Sequence, residues 1–198
     1  MKRIAAIVGD TRIGPSTAQA DVVRCAARAA ILSGLRVQTG GLGDLPVLVA
    51  AAARATPGYE SGDLIALVPG FDPADGHADI VIATGLDLVR NALVANADVV
   101  IAIGGGAGTL SEVALAWQLN RPIVAWTGRG WSARLAGAAI DHRRKDVVIP
   151  FGTEDDLRRI LAACLEKSAG RHRGISVDPA RRASSRGRKA TRRRTSSS

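Results

Sequence analysis

The chain has 198 residues, 46% of them hydrophobic and only 3% aromatic, with a formal net charge of +9. That length suits one domain with a sizeable core, and no apolar run reaches the roughly 18 residues of a membrane helix. The charge says nothing about the body: ten of the 27 bases and one of the 18 acids lie between Ser168 and Ser198, which leaves 17 of each in residues 1–167.

Met1-Lys2-Arg3 leads into the apolar run Ile4 to Val8, which Gly9-Asp10 cuts off. This reads as a first strand and not as a signal peptide. After the turn Gly9 to Pro15, Ser16 or Thr17 caps a helix through Ser33 that Gly34 ends, with Val22, Cys25, Ala26 and Ala29 as its apolar stripe. Arg36 to Thr39 is a second strand, and Gly40-Gly41-Leu42-Gly43 leads from it into an Ala-rich helix from Leu45 to Ala55. Leu64 to Val68 and Asp79 to Ala83 read as strands either side of a polar loop, Pro69 to His77. A helix follows from Thr84-Gly85 to about Asn96. Pro122 to Trp126 is a strand, a short helix ends at Ala138, Asp146 to Ile149 is a last strand, and Thr153 caps a closing helix whose apolar face is Leu157, Ile160, Leu161 and Leu165. The β-α alternation predicts an α/β fold, a doubly wound, Rossmann-like parallel sheet of about seven strands with helices on both faces. From Gly170 the pattern gives way to Arg, Ser, Ala and Thr, which cannot bury a core. Residues 168–198 are therefore expected to be a disordered basic tail.

The most informative stretch is Asp98-Val-Val-Ile-Ala-Ile-Gly-Gly-Gly-Ala-Gly-Thr-Leu-Ser-Glu112. Its β-branched run suits a strand buried on both faces. Gly104, Gly105, Gly106 and Gly108 then turn into a helix beginning near Thr109, with Leu110, Val113, Ala114 and Trp117 at helical spacing. The free N–H groups and dipole of that helix suit a phosphate. The other reading of the same glycines is a tight strand-to-helix turn that needs small residues. No Gly-Lys-Ser/Thr follows, so this is no Walker A loop, and the third glycine and ribose-binding acid of a dinucleotide fingerprint are missing. Ligands of doubly wound sheets sit beyond the carboxyl ends of the strands. The glycine turns at 9–14, 40–43 and 104–108 should therefore converge there. The two cysteines have neither metal-site nor disulfide spacing, which points to a reducing cytoplasm, and the three histidines are scattered, so no metal site and no cofactor are expected.

Gly104 to Glu112 resembles the P-G-G-x-G-T-x-x-E signature of the Lonely Guy (LOG) family, once labelled lysine decarboxylase-like, which includes cytokinin riboside 5′-monophosphate phosphoribohydrolases. Gly105, Gly106, Gly108, Thr109 and Glu112 match, and Gly104 replaces the proline. Arg90 aligns with the arginine of that family's R-K motif, Asn91 replaces the lysine, and Gly40-Gly41 matches an earlier glycine turn. Thr84-Gly-Leu-Asp87 with Asn96-Ala-Asp-Val-Val100 is more similar to a DprA/Smf-related bacterial branch near molybdenum-cofactor carrier proteins.

The resemblance covers residues 4–165 and implies a nucleoside 5′-monophosphate or a related phosphate-bearing molecule as ligand, and a homodimer. Gly9, Gly40, Gly41, Gly104, Gly105, Gly106, Gly108 and Thr109 would bind the phosphate or nucleotide, and Arg90 and Glu112 would be catalytic. Bottom-up chemistry agrees: a carboxylate one turn into the helix can stabilise the oxocarbenium ion of N-glycosidic cleavage or activate water, and an arginine can pair with phosphate or orient that carboxylate. Glu112 can equally be a solvated residue favoured by the dipole, and Arg90 an i,i+3 surface partner of Asp87. Trp117 and Leu110 near the cleft lend the dimer some support. A non-catalytic carrier or sensor of a nucleotide or molybdenum-cofactor-like ligand is the alternative. A third is DNA binding, with the basic tail making sequence-blind phosphate contacts.

Overall fold

The computed structural model describes residues 1–73, 77–142 and 144–168. The expected basic tail, Ser168 apart, lies outside the described residues, as do three residues of the polar loop before the fourth strand. The strands are β1 (Ile4–Gly9), β2 (Arg36–Thr39), β3 (Leu64–Val68), β4 (Ile80–Ala83), β5 (Val99–Ile103), β6 (Ile123–Trp126) and β7 (Ile149–Phe151). They form one seven-stranded sheet in the order β4-β3-β2-β1-β5-β6-β7, with every neighbouring pair parallel. The chain leaves β1 towards β2 and returns on the other side of β1 with β5. The strand order thus reverses between β1 and β5, where such sheets open a ligand crevice.

The helices are α1 (Ala18–Leu32), α2 (Asp44–Arg54), α3 (Asn91–Ala95), α4 (Ala107–Gln118), α5 (Gly130–Leu135) and α6 (Glu154–Ser168). One face of the sheet, with Ala5, Ile7, Val37, Val99 and Ile101, packs under α1, α2 and α6. The other, with Ala6, Val8, Val100 and Ala102, packs under α3, α4 and α5. This alternation is the period of two of a strand covered on both sides. β5 is wholly buried, and truncating its Ile101 to Ala would cost about 2–5 kcal/mol. The frame of the site is thus among the best-anchored parts of the chain.

Three elements differ from the sequence reading. The buried side of α1 runs through Ala20, Val23, Ala26, Ala27 and Ala30, with Val22 and Cys25 only half-buried, because α1 packs between α2 and α6 and buries a broad alanine face. The segment from Thr84 is not one helix. Thr84 Oγ1 and the N–H groups of Gly85 and Asp87 donate to carbonyls of Val68, Gly70 and Pro69, and Asp87 takes a φ of 46°. Tied to the end of β3 in this way, the chain reaches only a 3-10 turn, Asp87–Arg90, before α3. β7 begins at Ile149 and not Asp146, since the Val148 N–H and C=O pair with Ala138 and Gly137 after α5. Pro150 is tolerated because β7 is an edge strand. No helix among the described residues is long and apolar enough to cross a membrane.

Candidate functional site

A cleft of about 150 Å³ opens beyond the carboxyl ends of β1 and β2. All three glycine turns reach it, through Gly9 and Thr11, Gly40 and Leu42, and Gly108 and Thr109. Arg90, Asn91 and Glu112 supply its polar groups, and Leu42, Leu45, Pro46 and Leu88 its apolar walls. A larger recess, about 260 Å³, lies at the amino ends of β6 and β7 beside Arg144 and Lys145. It is the weaker candidate, because Arg144 is already engaged by the Trp117 ring, two carbonyls and Asp146.

Two buried opposite charges lie in the cleft. Arg90 is 6% and Glu112 7% exposed, and Arg90 Nη1 stands 3.6 Å from Glu112 Oε1. Glu112 is therefore not a solvated residue at a helix end, nor Arg90 a surface partner of Asp87. Burial pushes the Glu112 carboxyl from an ordinary 4.5 up to about 7, against the opposing pull of Arg90. Burial also lowers the basicity of Arg90, which Glu112 and then Asp87 partly restore. Arg90 Nε is buried without a hydrogen-bond partner, and a buried donor left so costs roughly 1–3 kcal/mol. The guanidinium is thus under-satisfied. Gly40 makes room for it: a Cβ there would fall 2.2 Å from Arg90 Nη1. Asn91 donates through Nδ2 to Ser111 Oγ at 2.7 Å.

The glycine turn after β5 divides into two parts. Gly104 and Gly105 have φ values of 71° and 91°, open to glycine but strained for other residues. Gly104 N–H donates to Ser132 Oγ, and the Gly104 and Gly105 carbonyls accept from Ser132 and Trp131. Gly105 N–H donates to Asp10 Oδ2 at 3.0 Å, so it is not a free donor. Gly106, by contrast, is the N-cap of α4, and the first intrahelical bond after it runs from Leu110 N–H to Gly106 O. The amides of Ala107, Gly108 and Thr109 in that first turn have no acceptor within the helix. A Cβ at Gly106 or Gly108 would meet nothing within 4 Å. Thr109 Oγ1 donates to Gly9 O, fixing α4 against β1.

Of the ten residues singled out in the sequence, Gly9, Gly40, Arg90, Gly108, Thr109 and Glu112 line the cleft. Gly41 lies against Val68, Gly104 against Gln19 and Asp10, and Gly105 against Thr109. Gly106 sits at the open end of α4. Trp117 does not adjoin the cleft: it is 2% exposed in the core and donates from Nε1 to Asp141. Asp10, Gln19 and Ser132 hold the glycine turn and went unnoticed in the sequence. The signal for Asp10 was an acid directly after the first strand, at the crevice edge. No group of three or more metal-ligating side chains is assembled among the described residues.

An uncharacterized protein of Archaeoglobus fulgidus is 34% identical over 86 residues, which are 42% of this chain and 54% of that protein, so the chain spans about half the length of this curated relative. The X-ray structure of TM1055 aligns with a TM-score of 0.72 at 25% identity, over 82% of this chain and 99% of that one. The molybdenum cofactor binding protein of Rippkaea orientalis aligns with a TM-score of 0.69 at 24% identity, over 83% and 98%, and at that identity shares the fold. The model of the SLOG cluster4 family matches residues 2–156, and the chain belongs to the SLOG cluster4 family.

Proposed function

We propose that the cleft binds a nucleoside 5′-monophosphate or a close relative and hydrolyses its N-glycosidic bond. The observation that carries this reading is the buried Arg90–Glu112 pair beside the first turn of α4. The phosphate would take the amides of Ala107 to Thr109 and the under-satisfied guanidinium of Arg90. The ribose would then lie over Glu112, with the base extending along Leu42 and Leu88. As the C1′–N bond breaks, positive charge grows on the ribose and the Glu112 carboxylate stabilises it. Water adds to C1′, its proton passes to Glu112, and the base leaves as the free base after protonation from solvent. A carboxyl that titrates at about 7 is matched to proton transfer near neutral pH.

Release of free base from a panel of nucleoside monophosphates tests this. Turnover should rise as pH passes through about 7, and Glu112→Gln should lose about two orders of magnitude or more while still binding. A second reading, a non-catalytic carrier or sensor, draws on Asn91. It is neutral and tied to Ser111 where the R-K motif of the resembling family has a cation. Tight nucleotide binding without base release would decide for it. We also infer a homodimer. Ile80 and Ile82 of the edge strand β4, paired with Ile65 and Leu67 of β3, are 40% and 47% exposed, and Leu88, Val89 and Leu93 are exposed as well. A monomer by light scattering at micromolar concentration would contradict it.

A further inference from the structure

Asp10 braces the glycine turn after β5. Its Oδ2 accepts from Gly105 N–H at 3.0 Å and from Gln19 Nε2 at 2.7 Å. Gln19 is 5% exposed and is itself fixed by a bond to Ile103 O. Oδ2 lies so close to Gly104 that a Cβ there would be 2.5 Å from it. The opposite side of the turn is closed, because both glycine carbonyls accept from α5. At the point where strand order reverses, glycine turns of doubly wound sheets hold a pyrophosphate. Here the turn has two positive-φ glycines, and the chain's own carboxylate takes the Gly105 amide.

We propose that Asp10 is a specificity-determining residue that admits one phosphate to the cleft and excludes a second. The inference rests on the monophosphate reading above. A single phosphate on the Ala107–Thr109 amides and Arg90 leaves Asp10 undisturbed. Asp10 stands between Gly9 and Thr11, which both line that cleft, and its carboxylate takes the Gly105 amide. A second phosphate extending along the turn would meet this fixed carboxylate, and in a partly buried site that repulsion is only weakly screened. The Oδ1 atom, which makes no hydrogen bond among the described residues, remains an acceptor for a neutral donor such as a sugar hydroxyl.

The test uses orthophosphate and pyrophosphate, which avoid any assumption about the base. Wild-type protein and Asp10→Asn are titrated with each, following the amide resonances of Gly105 to Thr109 and the heat of binding. The Asn side-chain oxygen can still accept from Gly105 and Gln19, so the turn keeps its shape without the charge. Wild type should bind pyrophosphate no more tightly than orthophosphate. Asp10→Asn should gain about tenfold for pyrophosphate, as one charge contact removed, and change about twofold or less for orthophosphate. Should Asp10→Asn fail to fold, wild type alone decides, by binding pyrophosphate no more tightly than orthophosphate. Pyrophosphate bound better than orthophosphate by wild type at low salt, or the same preference in a folded Asp10→Asn, overturns the role of Asp10 and leaves the phosphate site standing. Wild type that binds neither ion overturns the phosphate reading and this inference with it.

Discussion

Glu112→Gln should change how stability depends on pH, and the change can be worked out from the site. The folded protein holds the Glu112 carboxyl at about 7, against 4.5 for the ordinary group, chiefly because the side chain is buried. A rise of that size corresponds to about 3 kcal/mol between the two protonation states. The folded pKa is the higher one, so the folded chain keeps this proton between about 4.5 and 7 while the unfolded chain has lost it. The contribution is full below about 4.5, declines through that window, and is gone above about 7. Arg90 tempers it but does not reverse it, since burial is the larger effect on Glu112. Glutamine carries no proton to lose. Urea unfolding of both proteins at about pH 5 and about pH 8.5 should therefore show wild type losing about 2.5 kcal/mol relative to the variant. In a melting experiment this is roughly 5–10 °C for a chain of this size. Other titrating groups, such as Asp79 and Glu154 with their lowered values, are common to both proteins and cancel. Parallel pH profiles would refute the buried, proton-holding Glu112 and the acid–base role built on it.

Gly40→Ala should fold, because the three atoms nearest the added methyl all belong to the flexible end of the Arg90 side chain. It should displace that guanidinium and weaken orthophosphate binding roughly tenfold, as one lost charge-assisted hydrogen bond would, which calorimetry can check. Gly106→Val should also fold, since its Cβ enters open space at a φ of −104°. The branched side chain would stand over the first turn of α4, and undiminished nucleotide affinity would show that the phosphate does not approach there. Deleting residues 171–198, which carry all ten bases of the tail, should abolish salt-sensitive DNA retention on filters and leave small-ligand binding unchanged.

The parts of the fold that were legible in the sequence are those where local chemistry and tertiary packing agree. The runs at Ile4, Arg36, Leu64 and Val99 are strands because nothing else buries β-branched residues on both faces. Thr17 caps α1 with a hydroxyl that accepts from Ala20 N–H, a bond within one turn of chain. The glycine spacing at 104–108 likewise announced a turn into a helix. The segment from Thr84 to Ala95 misled because its helical composition is overruled by bonds to Pro69 and Gly70, fifteen or more residues away in sequence. Trp117 misled because helical spacing gives the side a residue faces only after the neighbours of the helix are known. The site shows the same division. Arg90 and Glu112 were visible through a motif, but no spacing could reveal that they are buried against each other or that Gly40 makes the space for the guanidinium. Asp10 is the sharpest case. One residue after Gly9 it reads as the end of an apolar run, and only the parallel pairing of β1 with β5, which sets Gly9 opposite Ile103, carries it to the Gly105 amide. A glycine-rich turn in a sequence therefore defines a recess for an anion but not the source of the anion. Where the strand beside the turn ends in an acid, the chain itself is the first candidate.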